Sequence, residues 1–260
     1  MLSDEMAVEI RKCIIRTAHG SQVPHVGSSL SCVDILSVLY FEHLRLDPWH
    51  GRDIFIMSKA HAAMALYSTL AVKGMIQECI LSGYCKNEGT LPAHLDRFSD
   101  APVEASAGSL GHGFNIGLGM AFGLKQQAGN RQVYVLIGDG ESQEGSIWEG
   151  ALFAGKLGLS NFTAVMDYNN LQGYGRARDL CNIDPVREKW EAFGWHAQDI
   201  DGHDHQAIRK ALTTDSGGKP KFIVARTIKG KGVSFMEDQL IWHYYLVTDD
   251  LKEKALKELQ

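Results

Sequence analysis

Three consecutive stretches between residues 133 and 168 constrain the fold more than any other part of the chain. "VYVLI" is a short apolar run, "EGSIWEGALFAGKLG" has helical spacing, and "FTAVMDY" is apolar again. Strand, helix and strand within about forty residues form a βαβ unit, whose two strands run parallel. The pattern continues through "VREKWEAFG", "WHAQDID", "DHQAIRKALTT" and "KFIVART". Such alternation predicts an α/β fold: a doubly wound, mainly parallel sheet with helices on both faces. Upstream, Met6, Ile10, Cys13, Ile14 and Thr17 recur at helical spacing, so residues 3–19 read as an amphipathic helix. "DIFIMS" reads as a further strand, and "KAHAAMALYSTLAVKG" as a helix ending at Gly74. Ser31 with Asp34 is expected to cap the helix "SCVDILSVLYFEHL". Gly83 to Pro102 reads as a long loop, of a length that is often functional. "GSLGHGFNIGLGMAFGLKQQAG" holds seven glycines, yet Leu110, Phe114, Leu118, Ala121 and Phe122 keep a helical period. We therefore expect a helix packed very closely on a neighbour. Residues 1–260 are expected to form one domain, with a charged helical tail over 248–260.

The bulk of the sequence excludes several function classes. A net charge of −5 argues against a nucleic-acid partner, which a basic patch would announce. No run of apolar residues is long enough for a membrane-spanning helix, and the acidic N-terminus does not read as a secretory signal. The five cysteines are odd in number and lack CxxC spacing. Reduced thiols in a cytoplasmic protein are expected rather than a disulfide framework or a zinc site, with Cys13 and Cys32 packed in the core.

The chemistry is concentrated at the strand ends. One apolar run stops at Gly138-Asp139-Gly140, and Asn169 follows the next run thirty positions after Asp139. In a doubly wound sheet, ligands bind beyond the carboxyl ends of the strands. Neighbouring strands would turn both side-chain oxygens into one crevice. A carboxylate with an amide oxygen suits Mg²⁺ or Ca²⁺ bound jointly with substrate phosphates. The flanking glycines allow close backbone approach, and a helix beginning near Glu144 adds donors for an anion. A plain turn also accounts for Gly-Asp-Gly taken alone. A dinucleotide GxGxxG motif fails on the letters, because residue 143 is Gln and residue 116 is Ile.

Six stretches in order carry a resemblance. They are "PHVGSSLS" (24–31), "SKAHAAMALY" (58–67), "AGSLGHGFNIGLGMA" (107–121), "GDGESQEGSIWEGA" (138–151), "EKWEAFGW" (188–195) and "ARTIKGKGVSFME" (225–237). Together with "DYNNLQ", the chain resembles the N-terminal, diphosphate-binding part of transketolase, over roughly residues 10–245. The resemblance implies the thiamine diphosphate-binding fold. It implies Mg²⁺ (or Ca²⁺) ligation by Asp139 and Asn169 side chains and the Leu171 carbonyl. Gly140, beside Gly138, would offer its N–H to the diphosphate, while Gly108 and Leu110 would lie against the cofactor rings. Asp167 and Glu144, with Glu149 as a further candidate, would stand behind these ligands or at a subunit contact.

Of eleven histidines, His25, His61, His94 and His243 match those lining the transketolase site. Imidazole suits proton transfer near neutral pH. By the resemblance, His61 and His243 would also touch the diphosphate, and His25 and His94 the substrate hydroxyls. His43, His50, His196, His203 and His205 read as surface or core residues, and His112 is unassigned.

The implied reaction is transfer of a two-carbon ketol unit from a ketose to an aldose. Transketolases take an essential glutamate from a separate pyrimidine-binding domain, which is not expected within residues 1–260. The resemblance therefore implies a split enzyme, completed by a separate C-terminal subunit in an α₂β₂ assembly, acting on sugars or sugar phosphates. Tyr244 and Tyr245 stand where glycine commonly follows the histidine, which extends the candidates to modified, amino, deoxy or nucleotide-linked sugars. Two alternatives stay open: the α subunit of a 2-oxoacid dehydrogenase, and a non-catalytic cofactor-binding subunit.

Overall fold

The computed structural model describes residues 2–47, 51–127 and 129–260. Its centre is a five-stranded, all-parallel sheet in the order β1-β2-β3-β5-β4. The strands are β1 (Ile54–Met57), β2 (Val133–Gly138), β3 (Phe162–Tyr168), β4 (His196–Asp201) and β5 (Lys221–Arg226). The helices are α1 (Leu2–Ser21), α2 (Val26–Ser31), α3 (Val33–Val38), α4 (Ala63–Val72), α5 (His112–Gln126) and α6 (Gly145–Leu157). After β3 come α7 (Ala177–Leu180), α8 (Val186–Ala192), α9 (His205–Thr213) and the tail helix α10 (Asp249–Glu258).

The period of two along each strand assigns the two faces. Tyr134 and Leu136 of β2, Val165 of β3 and Ile223 of β5 join a core built with α1–α4, α9 and α10. Val133, Val135 and Ile137 of β2, with Ala164, Met166, Phe222 and Val224, face α5, α6 and α8. Both faces of the sheet are thus buried, as a parallel sheet requires. Trp190 of α8 stacks on Phe222 at 3.7 Å between ring centroids and fixes the second core.

The glycine-rich segment is the close-packed helix expected, α5. A Cβ at Gly117 would overlap Val135 of β2, and one at Gly113 would meet the Ser58 backbone at 2.8 Å. The inner glycines therefore seat α5 on the sheet. Phe122 departs from expectation: it is exposed on the outer side of α5.

The capping expected of Ser31 and Asp34 does not form. Ser31 ends α2 and Asp34 lies within α3, whose first turn has no side-chain cap. Ser31 Oγ donates instead to Asp167 Oδ2 at 2.5 Å, and Asp34 is taken up by Arg11, His203 and His205. Tertiary charge partners outcompete a local cap worth about 1 kcal/mol. Cys13 and Cys32 are buried, and all five cysteines are free thiols. No helix among the described residues is long and apolar enough to cross a membrane. His50 lies outside the described residues.

Candidate active site

The β2 and β3 tips are neighbours, with Gly138 paired to Asp167. Beyond them opens a pocket of about 430 Å³. Asp139, Gly140, Asn169 and Leu171 form its floor, and Gly138 and Glu144 also line it. His25, His61, His94 and His243 enter from four separate segments, and Gly108 and Leu110 arrive from the loop before α5. Of the residues singled out in the sequence, Asp167 lies beneath the floor, fully buried, and Glu149 is exposed on α6.

The turn after β3 shows how the sequence builds the floor. Asn170 adopts φ 58°, a left-handed conformation that asparagine tolerates better than most residues. Its N–H donates to Asp139 Oδ2 at 2.5 Å and so ties the two strand tips together. Asp139 Oδ1 accepts from the N–H of Gly140 at 2.6 Å, so that N–H is engaged within the turn. Asn169 Oδ1 accepts from the N–H of Leu171 at 3.0 Å, while its Nδ2 points to Ser31 Oγ and Asp167. The amide is thereby oriented, with one lone pair left on its oxygen.

Three groups that the sequence does not announce hold this floor. The Lys59 ammonium donates to Asp167 and to the Ser28 carbonyl at 3.0 Å, and Asp167 also accepts from Thr227. Burial works against both charges of this pair, but their mutual attraction outweighs it, holding Lys59 above and Asp167 below their ordinary pKa values. Lys229 donates to the Leu171 carbonyl at 3.1 Å and to His243 Nδ1 at 2.6 Å. Burial, aided by Lys59, lowers Lys229 to about 8. Glu141 is buried and accepts from Ser58, from Gly111 N–H at 2.9 Å and from Gly138 N–H at 3.2 Å. It pins the loop before α5 to the β2 tip. Both lysines sit inside quoted motifs, "SKAH" and "TIKGKG", and these were the available signal.

Burial is also the main force on the histidines. His25 is lowered to about 4 and His243 to about 3, with Lys229 adding to both, and His61 falls well below its ordinary value. These three are neutral imidazoles at neutral pH. Because the Lys229 ammonium has no acceptor, His243 Nδ1 accepts from it and Nε2 carries the proton. The His25 ring lies edge-on to His61 at 5.4 Å and to His243 at 5.0 Å. His25 itself has φ 73°, a strained conformation held by its N–H bond to the His243 carbonyl at 3.0 Å. His94 packs on Gly108, where a Cβ would meet its ring at 3.7 Å.

The remaining histidines serve elsewhere. His43 bonds Tyr134 Oη at 2.9 Å, His196 opens β4, and His112 is exposed at the start of α5. His203 and His205 both donate to Asp34, which Arg11 grips with two nitrogens. His203 Nε2 accepts the N–H of Ile228 at 2.8 Å, immediately before Lys229.

The donor set suits a hard divalent cation held together with an anion. It offers one carboxylate, one amide oxygen and one backbone carbonyl. Among the described residues, no group of three or more His, Cys, Asp or Glu side chains gathers to hold a metal by itself. Phosphate oxygens would complete both the ligand number and the charge balance. Asp139 shows the same need: burial, and then Asp167, push its carboxyl up to about 6 despite two backbone donors. A cation beside it offsets that cost.

Comparison with known proteins agrees with this geometry. The family described as "Transketolase, thiamine diphosphate binding domain" matches residues 3–256. A 6-deoxy-6-sulfo-D-fructose transketolase subunit from Clostridium sp. (strain MSTE9) is 39% identical over 257 residues, covering 96% of this chain and 94% of that protein. An apulose-4-phosphate transketolase subunit from Actinobacillus succinogenes is 39% identical, covering 96% of this chain and 92% of that one. The crystal structure of transketolase from Campylobacter jejuni superposes with a TM-score of 0.92 at 29% identity. It covers 99% of this chain, which spans only 42% of that transketolase. The chain belongs to the transketolase family, as its thiamine diphosphate-binding domain.

Proposed function

We propose that this chain is the N-terminal subunit of a split, thiamine diphosphate-dependent transketolase that moves a two-carbon ketol unit from a ketose to an aldose. The observation that carries this reading is one pocket joining the Asp139–Asn169 strand tips to four histidines. The 2-oxoacid dehydrogenase alternative shares the strand tips but not the ordered histidines, and the named relatives favour transketolase. A purely regulatory subunit would have no need of that intact constellation.

In this reading Asp139, Asn169 and the Leu171 carbonyl hold Mg²⁺. Ca²⁺ satisfies the same donors less specifically. Gly140, His61 and His243 hold the diphosphate, and the buried Lys59 and Lys229 add positive charge around it. Gly108 and Leu110 flank the cofactor rings. Asp167 orients Asn169 from behind, and Glu144 stands at the rim, where a subunit would contact it. Thiamine diphosphate, held by these residues, would supply a nucleophilic ring carbon and an electron sink for carbon–carbon bond cleavage. The protein orients, excludes water and relays protons. His25 and His94 face the substrate hydroxyls, and burial keeps His25 a neutral imidazole that can hydrogen-bond them as donor or acceptor.

Relatives named as subunits match this chain over nearly their whole length, which supports residues 1–260 as one domain and a separate C-terminal subunit. The proposed assembly is α₂β₂, in the cytoplasm. Tyr244 supports a modified sugar as substrate. Its ring lies 4.6 Å from His243 and 6.1 Å from His25, and it lines the pocket. Two relatives are named for such sugars, 6-deoxy-6-sulfo-D-fructose and apulose-4-phosphate.

The test is reconstitution with a C-terminal transketolase subunit, thiamine diphosphate and Mg²⁺. Ketol transfer by the mixture, and none by either polypeptide on its own, is expected. Full turnover by this chain without a partner, or oxo-acid decarboxylation without transfer, overturns the reading.

A further inference from the structure

We infer that the side-chain amide of Gln172 is a ligand contact of this pocket: a neutral hydrogen-bond donor to the diphosphate held over Gly140. The inference rests on the cofactor reading above and adds a residue that neither the motifs nor the family description assigns.

Gln172 Nε2 is buried and has no hydrogen-bond partner among the described residues, although Gln172 lines the pocket. A buried amide nitrogen without a partner costs about 1–3 kcal/mol, so such an atom calls for a water or a ligand to answer it. Its position is not accidental slack. Leu171 and Arg176 form an antiparallel bridge, and Gln172 N–H donates to the Gly175 carbonyl at 2.9 Å. Arg176 is clamped to Asp238 by two bonds of 2.6 and 2.7 Å. This small hairpin holds the side chain against Gly140. A Cβ at Gly140 would lie 3.0 Å from Gln172 Cδ and 3.3 Å from Nε2. The glycine is therefore needed partly because the amide occupies the space beside it.

The surroundings select the chemistry of the missing partner. The Gly140 N–H lies in the turn beside the amide, Lys59 lines the pocket, and Lys229 stands behind the Leu171 carbonyl and His243. A ligand meeting these groups presents oxygen acceptors and negative charge, and it turns the NH₂ end of the amide toward itself. A diphosphate has that character. A fixed neutral donor adds direction without adding to the repulsion between the two ammonium groups.

The test uses the full chain, magnesium and inorganic pyrophosphate, since every contact named here lies on this chain. Calorimetric titration gives the dissociation constant, and thermal unfolding without ligand gives the midpoint. Gln172→Met keeps length and volume but has no donor. It is expected to weaken magnesium pyrophosphate binding about tenfold or more and to raise the ligand-free midpoint by about 2 °C. Gln172→Glu, which only accepts and carries negative charge, is expected to weaken binding further. Opposite signs in affinity and stability are the signature, because a merely structural role would lower both. Unchanged affinity in Gln172→Met, with wild type binding, overturns the inference and leaves the cofactor reading intact. A lower midpoint alongside weaker binding also overturns it. If wild type shows no magnesium-dependent pyrophosphate binding, the cofactor reading fails and the inference falls with it.

Discussion

Asp34 and Asp139 are equally removed from water, at 5% and 4% exposure, yet their electrostatics run in opposite directions. Burial pushes both carboxyls up. At Asp34 hydrogen bonds from His203 and His205 and the Arg11 guanidinium outweigh burial, and the group sits well below the usual carboxylate range. At Asp139 two backbone N–H groups and, more weakly, the Lys59 charge do not offset burial and the repulsion of Asp167, and the carboxyl rises to about 6. Desolvation alone therefore does not separate a structural acid from a functional one; the partners do. Asp34 is a fully satisfied centre that ties α1, α3, α9 and the segment after β5 together. Asp139 retains unused coordination capacity at a strand tip, at a standing cost that the proposed cation would offset.

The largest expected effect follows from opening the closed cluster. Asp34→Asn leaves Arg11 buried without its counter-charge and should cost about 3–5 kcal/mol of unfolding free energy, read by urea denaturation. Asp139→Asn should behave in the contrary way. The ligand-free chain should lose only about 1–2 kcal/mol, because removing the desolvated charge partly offsets the loss of one of the two backbone N–H acceptors. It should instead lose the stabilisation by magnesium and thiamine diphosphate, about 2.7 kcal/mol at a hundredfold excess over Kd, read by thermal shift. Loss of ligand-free stability at both sites to the same degree would erase the distinction.

A smaller effect sharpens the link between the two regions. His203→Phe removes both the donor to Asp34 and the acceptor of Ile228 N–H, and should cost about 1–2 kcal/mol in the same urea experiment. The smallest effect is in pH dependence. Asp34 is depressed on folding, so its contribution is fully present above the unfolded value near ~3.9 and fades as pH falls through the lower folded value. The stability gap between wild type and Asp34→Asn should be constant above about pH 5 and narrow below about pH 4. A gap independent of pH down to acid unfolding would contradict the pairing.

The same contrast marks what the sequence discloses. Strands and helices were legible because their periods are local, and the Asp139–Asn169 pair because a parallel βαβ unit makes consecutive strand tips neighbours. Four histidines gathered as the resemblance implied. Lys59, Lys229 and Glu141 were missed because lysine and glutamate are ordinarily exposed, and only a distant partner keeps them inside. Asp167 is 108 positions from Lys59, and Leu171 is 58 from Lys229. Ser31 misled for the same reason, since its hydroxyl is drawn to Asp167 across 136 positions. Local rules failed where long-range charge pairing won.

Whether the β2 and β3 tips hold a divalent ion that clamps a diphosphate is tested most directly by anomalous scattering. Crystals of the reconstituted complex would be grown with thiamine diphosphate and Mn²⁺ in place of Mg²⁺. One strong peak is predicted within about 2.2 Å of Asp139, Asn169 and the Leu171 carbonyl, bridged to two phosphate oxygens. Clear cofactor density with no peak between those tips, or with the metal held by other residues, would contradict it.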